Sequence, residues 1–344
     1  MKIRVRKCAG ILAVALLAAP AHAEVYDLPP DGNDVIGAIS SVRARAEETL
    51  LDIARRHGLG YEDIVRANPQ VDPWLPGADT EVILPTRYVI PSVPRRGIVL
   101  NLAEYRMYYF PEPAAGSPAV VMTWPMSIGR MDWATPLGMT RITAKAKNPS
   151  WYPPESVRAE HLADGDPLPR VVPPGPKNPL GAYAMRLDLP GYLIHGTNRP
   201  AGVGMRVTHG CIRMYPEDIE YLFGLAGVNT SVRIINEPVK IGWDNEELVL
   251  EVHRTLEVMD LPPADAPGTA EASDVSVADD LPEDVPPPVK DALTSLTEQF
   301  VAATGSRPGE IDWLLAELAL QQADGIPATV GRGIKNAATS AASH

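Results

Sequence analysis

Between residues 38 and 86 apolar positions recur at helical spacing. Leu50, Ile53, Ala54 and His57 fall at i, i+3, i+4 and i+7, which predicts a helix over residues 48–57 with Gly58 as its stop. A second short helix is predicted over Tyr61–Ala67, ended by Asn68 and Pro69, and residues 80–84 read as a closing strand. Together these make a small α+β module. From Arg96 the period shortens to two. Ile98, Leu100 and Leu102 alternate with Val99, Asn101 and Ala103, and Arg106–Phe110 follows as the second arm of a β-hairpin with a two-residue turn. Further strands are predicted over residues 120–128, Gly138–Lys147, residues 181–187 and 192–196, and Ser231–Ile235. With Pro and Gly between them, they predict a mainly β domain of sandwich or barrel type over residues 96–236, with an arm to 258. One helix starts near Pro216, where Glu217, Asp218 and Glu220 suit the positive end of the helix dipole.

Beyond the arm the pattern breaks. Residues 255–289 hold nine acidic residues and no Lys or Arg, with Pro at 262, 263, 267, 282 and 286–288, so residues 259–288 read as a solvated acidic linker. Residues 289–323 regain helical spacing in two segments, 289–303 and 310–322, the second with Ile311, Leu314, Leu315 and Leu318 on one face. Residues 324–344 read as a frayed tail. At the other end, residues 1–23 have the form of a secretory signal: Lys2, Arg4, Arg6 and Lys7, an apolar run from Ile11 to Ala19, and Ala21-His22-Ala23 before Glu24. The run is too short to span a bilayer. The expectation is cleavage after Ala23 and a periplasmic protein with no transmembrane segment.

Charge narrows the partners. Lys and Arg number 31 against 43 Asp and Glu, a net −12, which argues against nucleic acid as a ligand. Cleavage of the signal also removes Cys8 and leaves Cys211 as the one cysteine. A lone thiol forms no internal disulfide and is a liability in an oxidising compartment, so its neighbours decide its meaning.

Those neighbours are His195, His209 and glycines at 196, 202, 204 and 210. A thiol with a reference pKa of about 8.5 needs an imidazole or positive surroundings to react as thiolate. On an extended strand His209 and Cys211 would share a face but stand about 6–7 Å apart. A histidine from another strand fits better, which favours His195 as base and leaves His209 to help position substrate. Gly210 lets a scissile carbonyl approach main-chain N–H donors. Arg199, Arg206 and Arg213 offer positive charge to a carboxylate-bearing substrate. Two other readings stand beside this one: His195, His209 and Cys211 as zinc ligands, although no further Cys, His-x-x-x-His pair or nearby carboxylate completes the set, and all three as core packing.

The stretches "HGT" at 195–197 and "THGCIRM" at 208–214 resemble the signature of the L,D-transpeptidase (YkuD-type) family, and the resemblance runs over residues 38–256. It includes "RRGIVLNLAEYRMYYF", "PSWYPPESVRAEH", "VPPGPKNPLGAYAMRL" and "GWDNEELVLEVH", and is closest to the ErfK/YbiS/YcfS/YnhG subgroup. Residues 38–86, with "TLLDIARRHGL", "IVRANP" and "VILP", resemble a LysM domain. The resemblance implies a mainly β catalytic domain behind a glycan-binding module, and acyl transfer on the tetrapeptide stems of peptidoglycan without metal or cofactor. It implies Cys211 as nucleophile, His195 as base, and His209, Gly210, Thr208, Gly196 and Arg213 at signature positions. The acceptor stays open between the C-terminal Lys of an outer-membrane lipoprotein, a diaminopimelate side chain giving a 3→3 cross-link, and water. A wall-binding protein with a vestigial motif is the rival outside enzymes.

Overall fold

The computed structural model describes residues 24–30, 32–130, 135–256 and 291–334. The predicted signal peptide, the acidic linker and residues 335–344 lie outside them.

The chain opens with β1 (Glu24–Asp27) and β2 (Val35–Gly37). Next come β3 (Ser40–Arg43), α1 (Leu50–Arg56), α2 (Tyr61–Ala67), β4 (Glu81–Leu84) and β5 (Arg87–Val89). β3 and β4 pair antiparallel, so residues 40–84 form a βααβ unit around Leu50, Ile53, Ala54, Leu59, Ile64 and Val82. α1 starts where chemistry allows a cap. The Thr49 hydroxyl accepts from the Asp52 N–H at 3.1 Å and the Asp52 carboxylate accepts from the Thr49 N–H at 3.0 Å. Asn68 locks α2 to β4 by donating to the carbonyls of Ile64 and Ile83 and accepting from the Ile83 N–H.

The central domain contains β6 (Gly97–Asn101), β7 (Arg106–Phe110), β8 (Val120–Pro125), β9 (Ile128–Gly129) and β10 (Gly138–Lys147). It continues with α3 (Glu155–Ala163), β11 (Tyr183–Leu187), β12 (Leu193–His195), β13 (Arg206–Thr208), β14 (Ile212–Arg213), α4 (Pro216–Leu225) and β15 (Ser231–Ile235). One nine-stranded mixed sheet in the order β1-β8-β7-β6-β15-β10-β11-β12-β14 carries most of them, and β13 pairs with β9 beside it. The fold is mainly β, as the alternation predicts. The hairpin of β6 and β7 is present, but its connection is longer than two residues: a 3-10 turn over Leu102–Glu104 and then Tyr105 at φ +51°. α4 presses Ile219 and Leu222 onto the core of this sheet, which also holds Trp124, Met185, Ile194 and Ile212.

The C-terminal expectations need correction. β16 (Val239–Asp244) and β17 (Glu247–Val252) are followed, beyond the linker, by α5 (Ala292–Thr304), β18 (Gly309–Ile311), α6 (Trp313–Gln322) and β19 (Ala328–Gly333). The order β16-β17-β19-β18 makes one sheet, so arm, helices and the first part of the tail are a single unit with a shared core. Residues 328–333 are paired strand because Val330 is buried and the ladder with β17 satisfies their backbone. In α6 the small residues Ala316 and Ala319 pack inward, and Leu314, Leu315 and Leu318 face outward.

A buried ionic cluster ties the parts together. Lys240 on β16, fully buried, donates to Glu104 at 2.7 Å and lies 2.9 Å from Glu251, while Glu251 accepts from the Val89 N–H at 2.6 Å and His253 sits 2.6 Å from Glu251. Glu104, Glu251 and His253 are the one group of possible metal ligands among the described residues, and the Lys240 ammonium already bonds both carboxylates. On the module side, buried Arg106 pairs with Asp63 at 2.7 Å and stacks on Tyr88. Substituting Lys240→Met strands two carboxylates in the interior and is expected to destabilise the protein by about 3–5 kcal/mol, read as a lower midpoint in urea unfolding; an unchanged midpoint would show that the cluster contributes nothing to stability.

Candidate active site

His195 ends β12 and Cys211 immediately precedes β14. These two short strands run parallel with Ile194 opposite Ile212 and His195 opposite Arg213. Extending that register sets Cys211 opposite Leu193, so Cys211 and His195 are diagonal neighbours on the same face of the pair. Diagonal positions in a sheet stand about 7–8 Å apart, a span that an imidazole can bridge. His209, two residues from Cys211 in sequence, goes elsewhere: its Nε2 meets the Glu160 carboxylate at 2.9 Å.

The turn that delivers Cys211 is fixed from several directions. The Thr208 hydroxyl donates to the Cys211 carbonyl at 2.6 Å, and the Thr135 hydroxyl donates to the Gly210 carbonyl at 2.9 Å. Gly210 has φ +91°, a conformation that side-chain-bearing residues rarely adopt. Ser127 and Arg213 exchange two backbone hydrogen bonds, at 2.8 and 3.1 Å, and the Arg130 N–H donates to the Thr208 carbonyl at 2.9 Å. Thr208, which is buried, therefore shapes the turn that delivers Cys211.

His195 is 4% exposed, and its Nδ1 lies 2.6 Å from the Gly196 carbonyl. A carbonyl can only accept, so the ring proton sits on Nδ1 and Nε2 carries the lone pair. Burial, and then the nearby Arg213 charge, pull the imidazole pKa down to about 3 against the opposing pull of the Gly196 carbonyl. The ring is neutral at pH 7. Cys211 is half-buried with its Sγ 3.5 Å from the Gly191 carbonyl. Burial pushes the thiol pKa up, and the Leu193 backbone and Arg213 offset part of that rise. At rest the pair is a thiol and a neutral imidazole.

The arginines divide. Arg213 is half-buried, its Nε has no hydrogen-bond partner, and no ion pair to a carboxylate is seen for it among the described residues. Burial and then Arg199 lower its pKa, while the Cys211 sulfur acts in the opposite sense. Arg199 is exposed and near Arg213. Arg206 differs from expectation: its Nε donates to the Gly129 carbonyl at 2.8 Å and its guanidinium to the Leu256 carbonyl at 3.3 Å, so it braces β9 and the end of the arm. Gly196 is a packing position, since a Cβ there would press on Ile219 of α4 at 3.1 Å.

Sequence reasoning passes over Glu160, Arg130, Thr135 and Tyr192, whose pKa is raised by burial and then by the Cys211 sulfur. The available signal for Glu160 is the stretch of good helix formers bracketed by Pro154 and Gly165. The zinc reading fails on geometry, because His195, His209 and Cys211 do not bring ligand atoms within 4.8 Å of one another.

Residues 95–234 match the YkuD family, described as the L,D-transpeptidase catalytic domain. The probable L,D-transpeptidase YcfS of Escherichia coli (strain K12) is 40% identical over 250 residues, which cover 71% of this chain and 77% of the relative. YbiS of the same strain, also named a probable L,D-transpeptidase, is 37% identical over 252 residues, covering 72% and 81%. ErfK/SrfK of Salmonella typhimurium (strain LT2), named likewise, is 39% identical over 235 residues, covering 67% and 74%. A mainly β domain whose short parallel strands bring a buried histidine and a turn cysteine to one face, matched along most of these relatives, belongs to an enzyme of the L,D-transpeptidase family.

Proposed function

We propose that this enzyme acts in the periplasm on the tetrapeptide stems of peptidoglycan, through a thioester on Cys211. The observation that carries the reading is the β12–β14 register, which sets His195 diagonally across from the sulfur. As the scissile carbonyl is engaged, the thiol proton passes to His195 Nε2 and the sulfur attacks the carbonyl carbon. Main-chain N–H groups around Gly210 and Cys211 receive the oxyanion. The C–N bond to the terminal D-Ala breaks, the amine leaves with the proton held by His195, and the acyl group stays on sulfur. An acceptor amine then attacks the thioester, His195 takes its proton, and the thiol is restored. Both partners begin uncharged, so proton transfer accompanies attack and no standing thiolate–imidazolium pair is needed. Arg213, with its unpaired Nε beside the sulfur, favours the developing thiolate and can accept a carboxylate of the stem. Arg199 adds charge at the rim.

The acceptor we assign is an amine, either a lipoprotein C-terminal Lys or a diaminopimelate side chain. The βααβ unit, whose element order matches the LysM-like pattern of the sequence, is proposed to hold the glycan near the site. Among the described residues no helix is long and apolar enough to cross a membrane.

Incubation with a disaccharide tetrapeptide and mass spectrometry tests the chemistry: a dimer with loss of D-Ala is expected, tripeptide alone would assign water as acceptor, and activity surviving in Cys211→Ala would refute the mechanism. His195→Ala is expected to slow acylation by about 10²–10⁴-fold with the fold intact; an unchanged rate would transfer the role to His209.

The depressed His195 pKa has a further signature. In the folded protein the ring stays neutral down to about pH 3, whereas in the unfolded chain it binds a proton below about 6.5. The unfolded state therefore holds more protons in this window, and stability falls as pH drops from about 6.5 toward 3. Urea unfolding at pH 7 and pH 5 should show a larger loss for the natural protein than for His195→Gln, and equal losses would contradict a buried neutral ring.

A further inference from the structure

Glu160 of α3 joins a guanidinium and an imidazole of the candidate site region. Its Oε1 lies 2.6 Å from Arg130 and its Oε2 2.9 Å from His209 Nε2. Both partners are tied to the nucleophile's turn, His209 two residues before Cys211 and Arg130 through its N–H to the Thr208 carbonyl. The turn itself does not need Glu160. Thr208, Thr135, the Ser127–Arg213 bridge and the φ of Gly210 already fix it without contact to α3.

The helix that carries Glu160 is held lightly. Of its nine residues only Val157 is buried, its N-cap Pro154 supplies no side-chain bond, and Leu162 is exposed. Arg130, Glu160 and His209 remain 36%, 32% and 29% exposed, so an incoming anion can reach all three. A carboxylate on a thinly anchored helix, bridging a guanidinium and an imidazole beside the Cys211 turn, has the geometry of a ligand mimic. The two hydrogen-bonding groups, one planar guanidinium and one imidazole, suit the two oxygens of a carboxylate.

We propose that Arg130 and His209 form the subsite for a carboxylate of the acyl-donor peptide, and that Glu160 occupies this subsite in the free enzyme and is displaced on binding. The assignment rests on the stem-peptide reading above. Glu160 lowers apparent donor affinity by the fraction of enzyme in which it holds the subsite. A partly exposed ion pair of this kind is worth at most a few-fold in that balance.

The test measures binding of disaccharide tetrapeptide to the full chain carrying Cys211→Ala, where no thioester can form, by isothermal calorimetry. Adding Glu160→Gln is expected to tighten binding about two- to fivefold. Adding Arg130→Gln is expected to weaken it and to diminish the difference between a donor with free carboxylates and one with amidated carboxylates. Weaker binding on Glu160→Gln would make Glu160 a support of the site and overturn the proposal, as would an undiminished amidation effect in Arg130→Gln or no donor binding at all. In enzyme with Cys211 intact, Glu160→Gln should lower the donor KM with kcat retained, whereas a support role would lower kcat. Donor binding with these signs but no acyl-enzyme in the natural protein would leave the subsite standing and refute the thioester instead.

Discussion

The candidate site depends on two very short strands lying side by side in parallel. Parallel neighbours need a crossover, and here the crossover is the loop from Gly196 to Gly210, which leaves β12 and returns through β13. One turn of the wrong shape would rotate the sulfur off the face that His195 occupies. The turn is over-determined for that reason: a threonine hydroxyl at each of two carbonyls, a left-handed glycine and a backbone bridge to Ser127 all specify the same conformation.

Electrostatics at the site follow from burial more than from pairing. The imidazole and the thiol are both pushed toward their neutral forms by loss of water, and Arg213 is itself destabilised as a cation in the same place. Arg213 lowers both pKa values, disfavouring charge on the ring and favouring it on the sulfur.

Much of this is legible in the chain. Alternation predicts β10 and β15 to the residue, and helical spacing predicts α2. The strand predicted over residues 120–128 merges two elements, since β8 pairs with β7 whereas β9 pairs with β13. Glycines crowded around a lone thiol single out the Cys211 region in the sequence, because they suit a turn better than a packed core. Glu160 is not legible in this way, because its partners lie 30 and 49 residues away and only the fold brings them together. Arg206 resembles a substrate contact for the same reason in reverse: nothing local reveals that two carbonyls claim its guanidinium. The C-terminal unit escapes a local reading because the linker separates its strands, and ladder partners so distant leave no signature in either segment.

The cluster around Lys240 bears on where this protein can be cut. Glu104, accepting from Asn101, Tyr108 and Lys240, belongs to the catalytic segment, but the ammonium that neutralises it belongs to β16 and the second carboxylate to β17. An excised piece ending near residue 234 would keep the anion and lose its counter-charge, together with the strands that shield it from water. The recognisable catalytic unit and the smallest autonomous folding unit are thus different lengths of chain, and evolution can exchange the first among architectures only by rebuilding this joint.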